Sequence, residues 1–188
     1  MEKTLSLLPS FFEIDPRYTK DSVIVLFHDN TLERLTNLKG KVSDYTYAEL
    51  QQAKLKDRNG NYTNCKIPTL KEALEWGKDK TIFNLDNKNI PWSKYVELFR
   101  NGDYPNIVLS VRSMKEALYY YERLDNVMLC VAIKNDADLK AFQETGIPYN
   151  RIIAYVGDSV SRATADLCRF LRHKGVMCFY SFPPTFDK

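Results

Sequence analysis

Short apolar runs alternate with amphipathic segments along almost the whole chain, and this alternation limits the available folds more than any single residue does. The apolar runs cover residues 11–15, 23–27, 81–86, 106–111, 126–133, 151–156 and 176–182. They are rich in Val, Ile, Leu and Phe without strict alternation, the pattern of strands buried on both faces of a parallel sheet. Between them the periodicity predicts helices over residues 45–55, 69–79, 92–101, 113–124, 136–145 and 159–174. Thr46 with Glu49, Thr69 with Glu72 and Ser113 with Glu116 fit a capping box, in which hydroxyl and carboxylate each take a free backbone amide. Gly102, Gly146 and Gly175 stand where helices should stop. Strand–helix alternation of this kind argues an α/β fold with a parallel sheet. A doubly wound sheet would be supported by a glycine-rich phosphate loop after the first strand, and none follows it. A (β/α)8 barrel places its chemistry at the carboxyl ends of several strands, which is the pattern here.

The 188 residues make one domain's worth of chain, read as a single domain over residues 1–188. Lys and Arg are scattered among acids and the net charge is only +3, so there is no basic stripe and nucleic acid is not an expected partner. Cys65, Cys130, Cys168 and Cys178 have neither a C-x-x-C pairing nor zinc-ligand spacing. Cys130 and Cys178 lie in apolar runs and read as buried small hydrophobes. No apolar stretch approaches the roughly 20 residues of a membrane span, and the first residues lack the apolar run of a signal peptide. The compartment stays open.

Three strand endings carry polar residues. Glu13 and Asp15 are two apart on a strand and share a face. Two carboxylates at the inner mouth of a barrel repel unless protonated or bound to a cation, and carboxylate oxygens suit Mg²⁺ or Ca²⁺. Taken alone, the pair reads equally as a turn opened by Asp15-Pro16 with Glu13 in solvent. His28 ends the run Val-Ile-Val-Leu-Phe, a position for a general acid or base. Its alternative is a satisfied core histidine, and Asp29 reads as structural in either case. Asp86 and Lys88 follow the run at 81–86 and share a face, a third anionic ligand beside a cation suited to a phosphate oxygen. Their alternative is a surface ion pair. Together the three endings describe a metal site with a phosphate-binding cation, the parts of metal-assisted phosphoryl transfer.

Other features carry less. Asp57-Arg58-Asn59-Gly60 has its glycine two places too early for a calcium loop and reads as a turn. Asn61-Tyr62-Thr63 is a glycosylation triplet by letters only. His173 belongs to a helix end, where a cation complements the dipole. Tyr119-Tyr120-Tyr121 covers most of a helical turn and is expected to pack against a neighbouring helix.

Several linked stretches resemble the glycerophosphodiester phosphodiesterase family. Phe12-Glu13-Ile14-Asp15-Pro16-Arg17-Tyr18-Thr19-Lys20-Asp21 is similar to its second-strand signature. His28-Asp29-Asn30-Thr31-Leu32-Glu33-Arg34-Leu35-Thr36-Asn37, with Gly40 and Val42, resembles its most recognisable block. Ile67-Pro68-Thr69-Leu70 with Glu72-Ala73-Leu74 matches the start of a family helix, and Asp86 and Lys88 fall where the family has Glu-x-Lys. The resemblance is strongest over residues 11–88. It implies a (β/α)8 TIM-type barrel and one divalent ion, Ca²⁺ or Mg²⁺, held by Glu13, Asp15 and Asp86. It implies His28 as one of two acid/base histidines and Lys88 as a phosphate contact. The implied reaction cleaves a glycerophosphodiester to glycerol 3-phosphate and an alcohol, with the glycerol 2-hydroxyl as a first attacker through a cyclic phosphate.

There are also departures. The family's first strand, ending His-Arg-Gly, and the Glu-Asn pair after it are not in this chain, nor is its closing Thr-Asp segment. Its Trp-Thr strand ending is replaced around Tyr180-Ser181-Phe182. Asp86 for Glu shortens one ligand by a methylene. The expectation is therefore an incomplete barrel lacking its first strand, seven strands in place of eight, with Met1 an internal methionine of a longer enzyme. The alternative is a non-catalytic barrel remnant that binds or scaffolds. An open barrel exposes strand edges, which would favour self-association. Loss of one acid/base partner is expected to lower the rate by about 10²–10⁴-fold.

Overall fold

A computed structural model describes residues 1–158 and 161–181. The chain divides into two compact units, Met1–Pro91 and Trp92–Lys188.

In the first unit, a one-turn helix α1 (Glu2–Leu5) precedes strands β1 (Phe12–Ile14), β2 (Pro16–Tyr18) and β3 (Ile24–Leu26). Helices α2 (Tyr47–Leu50) and α3 (Leu70–Gly77) and strand β4 (Phe83–Leu85) follow. β1 and β4 pair in parallel, with Phe12 opposite Phe83, Glu13 opposite Asn84 and Ile14 opposite Leu85. The ladder continues one step further, where the Asp86 amide donates to the Ile14 carbonyl at 2.9 Å. α3 buries Leu70, Ala73, Leu74 and Gly77, one face of a helix at i, i+3, i+4 and i+7. Gly77 is there for space: a Cβ on it would overlap the ring of Phe83, which is fully buried.

The run at 23–27 departs from expectation. It does not join the parallel strands; β3 pairs antiparallel with β2, Arg17 opposite Val25, in a hairpin. Its Val25 and Phe27 form a small core with Leu32, Val42, Leu50 and Ile67. An apolar run reports burial but not the partner that buries it, which is why this run reads as a barrel strand from sequence. The hairpin turn is closed by Thr19, whose hydroxyl accepts from the Val23 amide at 2.9 Å. Helix 45–55 also shrinks to the single turn α2, capped by Thr46 as expected.

The second unit contains α4 (Trp92–Phe99), β5 (Ile107–Ser110), α5 (Met114–Tyr121), β6 (Met128–Ala132), α6 (Asp136–Glu144), β7 (Ile152–Tyr155), α7 (Arg162–His173) and β8 (Met177–Phe179). β5, β6, β7 and β8 pair in sequence order, all parallel. Six of the seven expected strands therefore pair in parallel among the described residues. Phe182 of the last run and Ser159 of the last helix lie outside the described residues.

The caps explain the helix ends. Thr46 and Thr69 form reciprocal boxes with Glu49 and Glu72. At α5 the box is half formed: Ser113 caps the Glu116 amide, but the Glu116 carboxylate reaches one residue further back, to the Arg112 amide at 2.8 Å. α7 ends in a Schellman motif, with Gly175 at φ 78° and its amide on Arg172 O, while the Val176 amide bonds Leu171 O. Tyr120 is buried, and its ring lies 6.3 Å from Tyr95 of α4, the inter-helix packing expected of the tyrosine triplet. His173 is exposed in the last turn of α7. Asp57 accepts from the Asn59 and Asn61 amides in a plain turn. Cys130 is buried as expected, whereas Cys178 is only half-buried.

Candidate active site

All five residues singled out in the sequence lie in the first unit. The β1–β4 register does the assembling. Glu13 is on β1, Asp15 leaves its end, and the extra ladder bond from Asp86 to Ile14 sets the third carboxylate beside them. One oxygen from each of Glu13, Asp15 and Asp86 falls within 4.8 Å of the others. Lys88 lies across this cluster. Its amide donates to the Pro16 carbonyl at 3.3 Å, and its ammonium meets Asp15 Oδ1 at 2.9 Å and also contacts Asp86.

Electrostatics follow from this crowding. Glu13 is exposed as a residue, yet partial desolvation of its carboxyl raises its pKa, and repulsion from Asp86 and Asp15 adds to the rise. Lys88 and His28 offset part of it. Burial alone would lower the Lys88 ammonium, but its bonds to Asp86 and Asp15 outweigh that and leave its pKa raised. Three all-oxygen donors drawn together against their own repulsion fit a hard divalent cation.

His28 follows β3 and its side chain is 67% exposed. Its Nδ1 lies 2.9 Å from Asp29 Oδ1, and Arg34 grips the same carboxylate at 2.5 and 2.8 Å. Those bonds, Arg34's first and His28's second, hold the Asp29 carboxyl down at about 2. An ionised carboxylate can only accept, so Nδ1 carries the proton and Nε2 is left as the basic nitrogen. Asp29 is thus more than a turn residue: it selects the histidine's tautomer.

Sequence reasoning missed Arg17. This buried residue of β2 donates from Nε to the Phe27 carbonyl at 2.9 Å, and from Nη2 to the His28 carbonyl at 2.8 Å and Asn30 Oδ1 at 3.0 Å. It ties the backbone that carries His28 to the strand that leaves Asp15. The available signal was an arginine two places after Asp15, on the same side of an extended segment.

The glycerophosphoryl diester phosphodiesterase family model matches residues 9–173. The chain belongs to that family. A glycerophosphoryl diester phosphodiesterase structure from Parabacteroides distasonis is 44% identical and superposes with a TM-score of 0.94, covering 100% of this chain and 66% of that one. A Bacillus altitudinis glycerophosphodiester phosphodiesterase is 33% identical over 123 residues, 62% of this chain and 44% of that protein. An Oleispira antarctica phosphodiesterase, solved with the product sn-glycerol-3-phosphate, shares the fold at 19% identity and a TM-score of 0.74, over 96% of this chain and 76% of that one. The fold class is an incomplete (β/α)8 barrel. The chain spans less than half the length of the curated relatives it matches. No helix among the described residues is long and apolar enough to cross a membrane.

Proposed function

We propose that this chain forms the greater part of a metal-dependent phosphodiesterase site that cleaves glycerophosphodiesters to glycerol 3-phosphate and an alcohol. The observation that carries this is the convergence of Glu13, Asp15 and Asp86 within 4.8 Å, with the Lys88 ammonium against two of them, in a chain of this family. Glu13, Asp15 and Asp86 would hold one Ca²⁺ or Mg²⁺, which when bound supplies Lewis-acid polarisation of the phosphoryl oxygens. Lys88, released from part of its carboxylate pairing, offers its ammonium to a phosphate oxygen. His28 Nε2 exchanges a proton with a reacting hydroxyl, taking it from the attacking group or giving it to the leaving alcohol. Asp29 stabilises the imidazolium that forms when Nε2 takes that proton. Arg17 keeps the His28 backbone in place throughout.

The test is hydrolysis of glycerophosphodiesters by the full-length protein with Ca²⁺ or Mg²⁺ supplied. His28→Ala should reduce turnover by roughly 10²–10⁴-fold, and Glu13→Gln should raise the metal concentration needed for half-maximal rate. Undiminished turnover in His28→Ala would remove the role assigned to it.

A further inference from the structure

A cavity of about 330 Å³ opens beside Lys88, entirely within the first unit. Its polar lining is Arg17, Asn30, Lys41, Ser43, Lys88 and Asn89, with Val42 as an apolar wall. Three of these residues are cations and none is a carboxylate. The amide groups are oriented by their partners. Asn30 Oδ1 accepts from Arg17 at 3.0 Å, and Asn89 Oδ1 accepts from the Tyr18 amide at 2.9 Å. Each oxygen is used, so each NH₂ is left as a donor. Lys41 presents its backbone amide to Asp44 at 2.7 Å, and no ion pair holds its side chain among the described residues. The cavity is therefore a donor-rich, positively charged recess that shares Lys88 with the carboxylate cluster.

We propose that this recess is the subsite for the leaving alcohol and selects acceptor-rich headgroups without positive charge, such as a polyol, against a choline-type cation. This rests on the phosphodiesterase reading, because Lys88 links the recess to the phosphoryl position. A glycerol headgroup there meets the donors of Lys41, Asn30, Asn89 and Ser43. Lys88 is balanced by Asp15 and Asp86, so a quaternary ammonium meets the charges of Lys41 and Arg17 and offers them no acceptor, a penalty of the kind that sets specificity by repulsion. Lys41 is the residue to change, since its ammonium is outside the carboxylate cluster and makes no ion pair among the described residues.

The experiment compares glycerophosphoglycerol with glycerophosphocholine, by kcat/KM in the full-length protein with Mg²⁺ or Ca²⁺, and by Kd in a His28→Ala background. The unmodified recess should prefer glycerophosphoglycerol, Lys41→Met should narrow the ratio, and Lys41→Glu should shift it by roughly tenfold toward choline. Thermal unfolding of each variant confirms that it is folded. A ratio unmoved by both substitutions, a preference for choline in the unmodified protein, or no binding of either diester overturns the subsite. Should Kd discriminate and follow Lys41 while neither diester is hydrolysed, the subsite stands and the phosphodiesterase reading falls.

Discussion

At the residue scale, the candidate site is held in shape by two side chains outside the carboxylate cluster, Arg17 and Asp29. Arg17 is buried with its guanidinium spread over two backbone carbonyls and one amide oxygen. A lysine cannot reproduce that fork, so Arg17→Lys should lower kcat at saturating glycerophosphodiester by loosening the backbone that carries His28. Arg17→Ala should in addition cost about 1–3 kcal/mol of stability from unsatisfied acceptors, measured by urea unfolding. Asp29 makes a prediction about pH. Its carboxyl is held at about 2 in the fold, below its ordinary 3.8. Stability from the Arg34 and His28 bonds is therefore complete above about pH 4, and is lost as pH falls through 2. Because Arg34 is largely exposed and its ion pair is screened by solvent, Arg34→Ala should cost little stability at pH 7, measured by urea unfolding. That difference should shrink toward zero in acid-denaturation profiles below about pH 2.

At the element scale, α3 packs on β4, the strand that leads to Asp86. Phe83 fills the space that Gly77 leaves on the helix, and its ring lies 6.2 Å from that of Trp76. Gly77→Ala should destabilise by about 1–3 kcal/mol through overpacking. Because β4 carries Asp86 just beyond Leu85, the same substitution should weaken divalent-ion affinity, measured by calorimetry. An exposed control, Lys71→Ala on the same helix, should do neither. Register explains the sensitivity: a one-residue slip between β1 and β4 would turn the carboxylates away from one another.

At the scale of the whole molecule, each unit has its own parallel strands, and the candidate site belongs wholly to Met1–Pro91. Saturating Ca²⁺ or Mg²⁺ should therefore raise the melting temperature. At 100 times Kd the gain is about 2.7 kcal/mol, roughly 5–10 °C for a chain of this size. Glu13→Gln should abolish most of that gain. In metal-free protein at neutral pH the same change should raise stability, because a carboxyl whose folded pKa is raised opposes folding once ionised. A metal-independent melting temperature in the unmodified protein would contradict the ligand set.

Much of the molecule is legible in its residue order. The capping boxes at Thr46 and Thr69, the stop at Gly175, and five residues of the candidate site stand out because they depend on local chemistry: a hydroxyl three residues from a carboxylate, a left-handed φ, a polar residue closing an apolar run. The sequence alone determined the α/β class and put forward the residue types of the candidate site. Partner choice was not local. Whether the run at 23–27 paired in the parallel sheet or in the β2–β3 hairpin turned on Leu32, Val42, Leu50 and Ile67 closing over it. Arg17 acquired its role only when that hairpin set the Phe27 and His28 carbonyls against its guanidinium. Tertiary structure decided these because a buried side chain's energy depends on which distant groups satisfy it, and spacing along the chain does not record that.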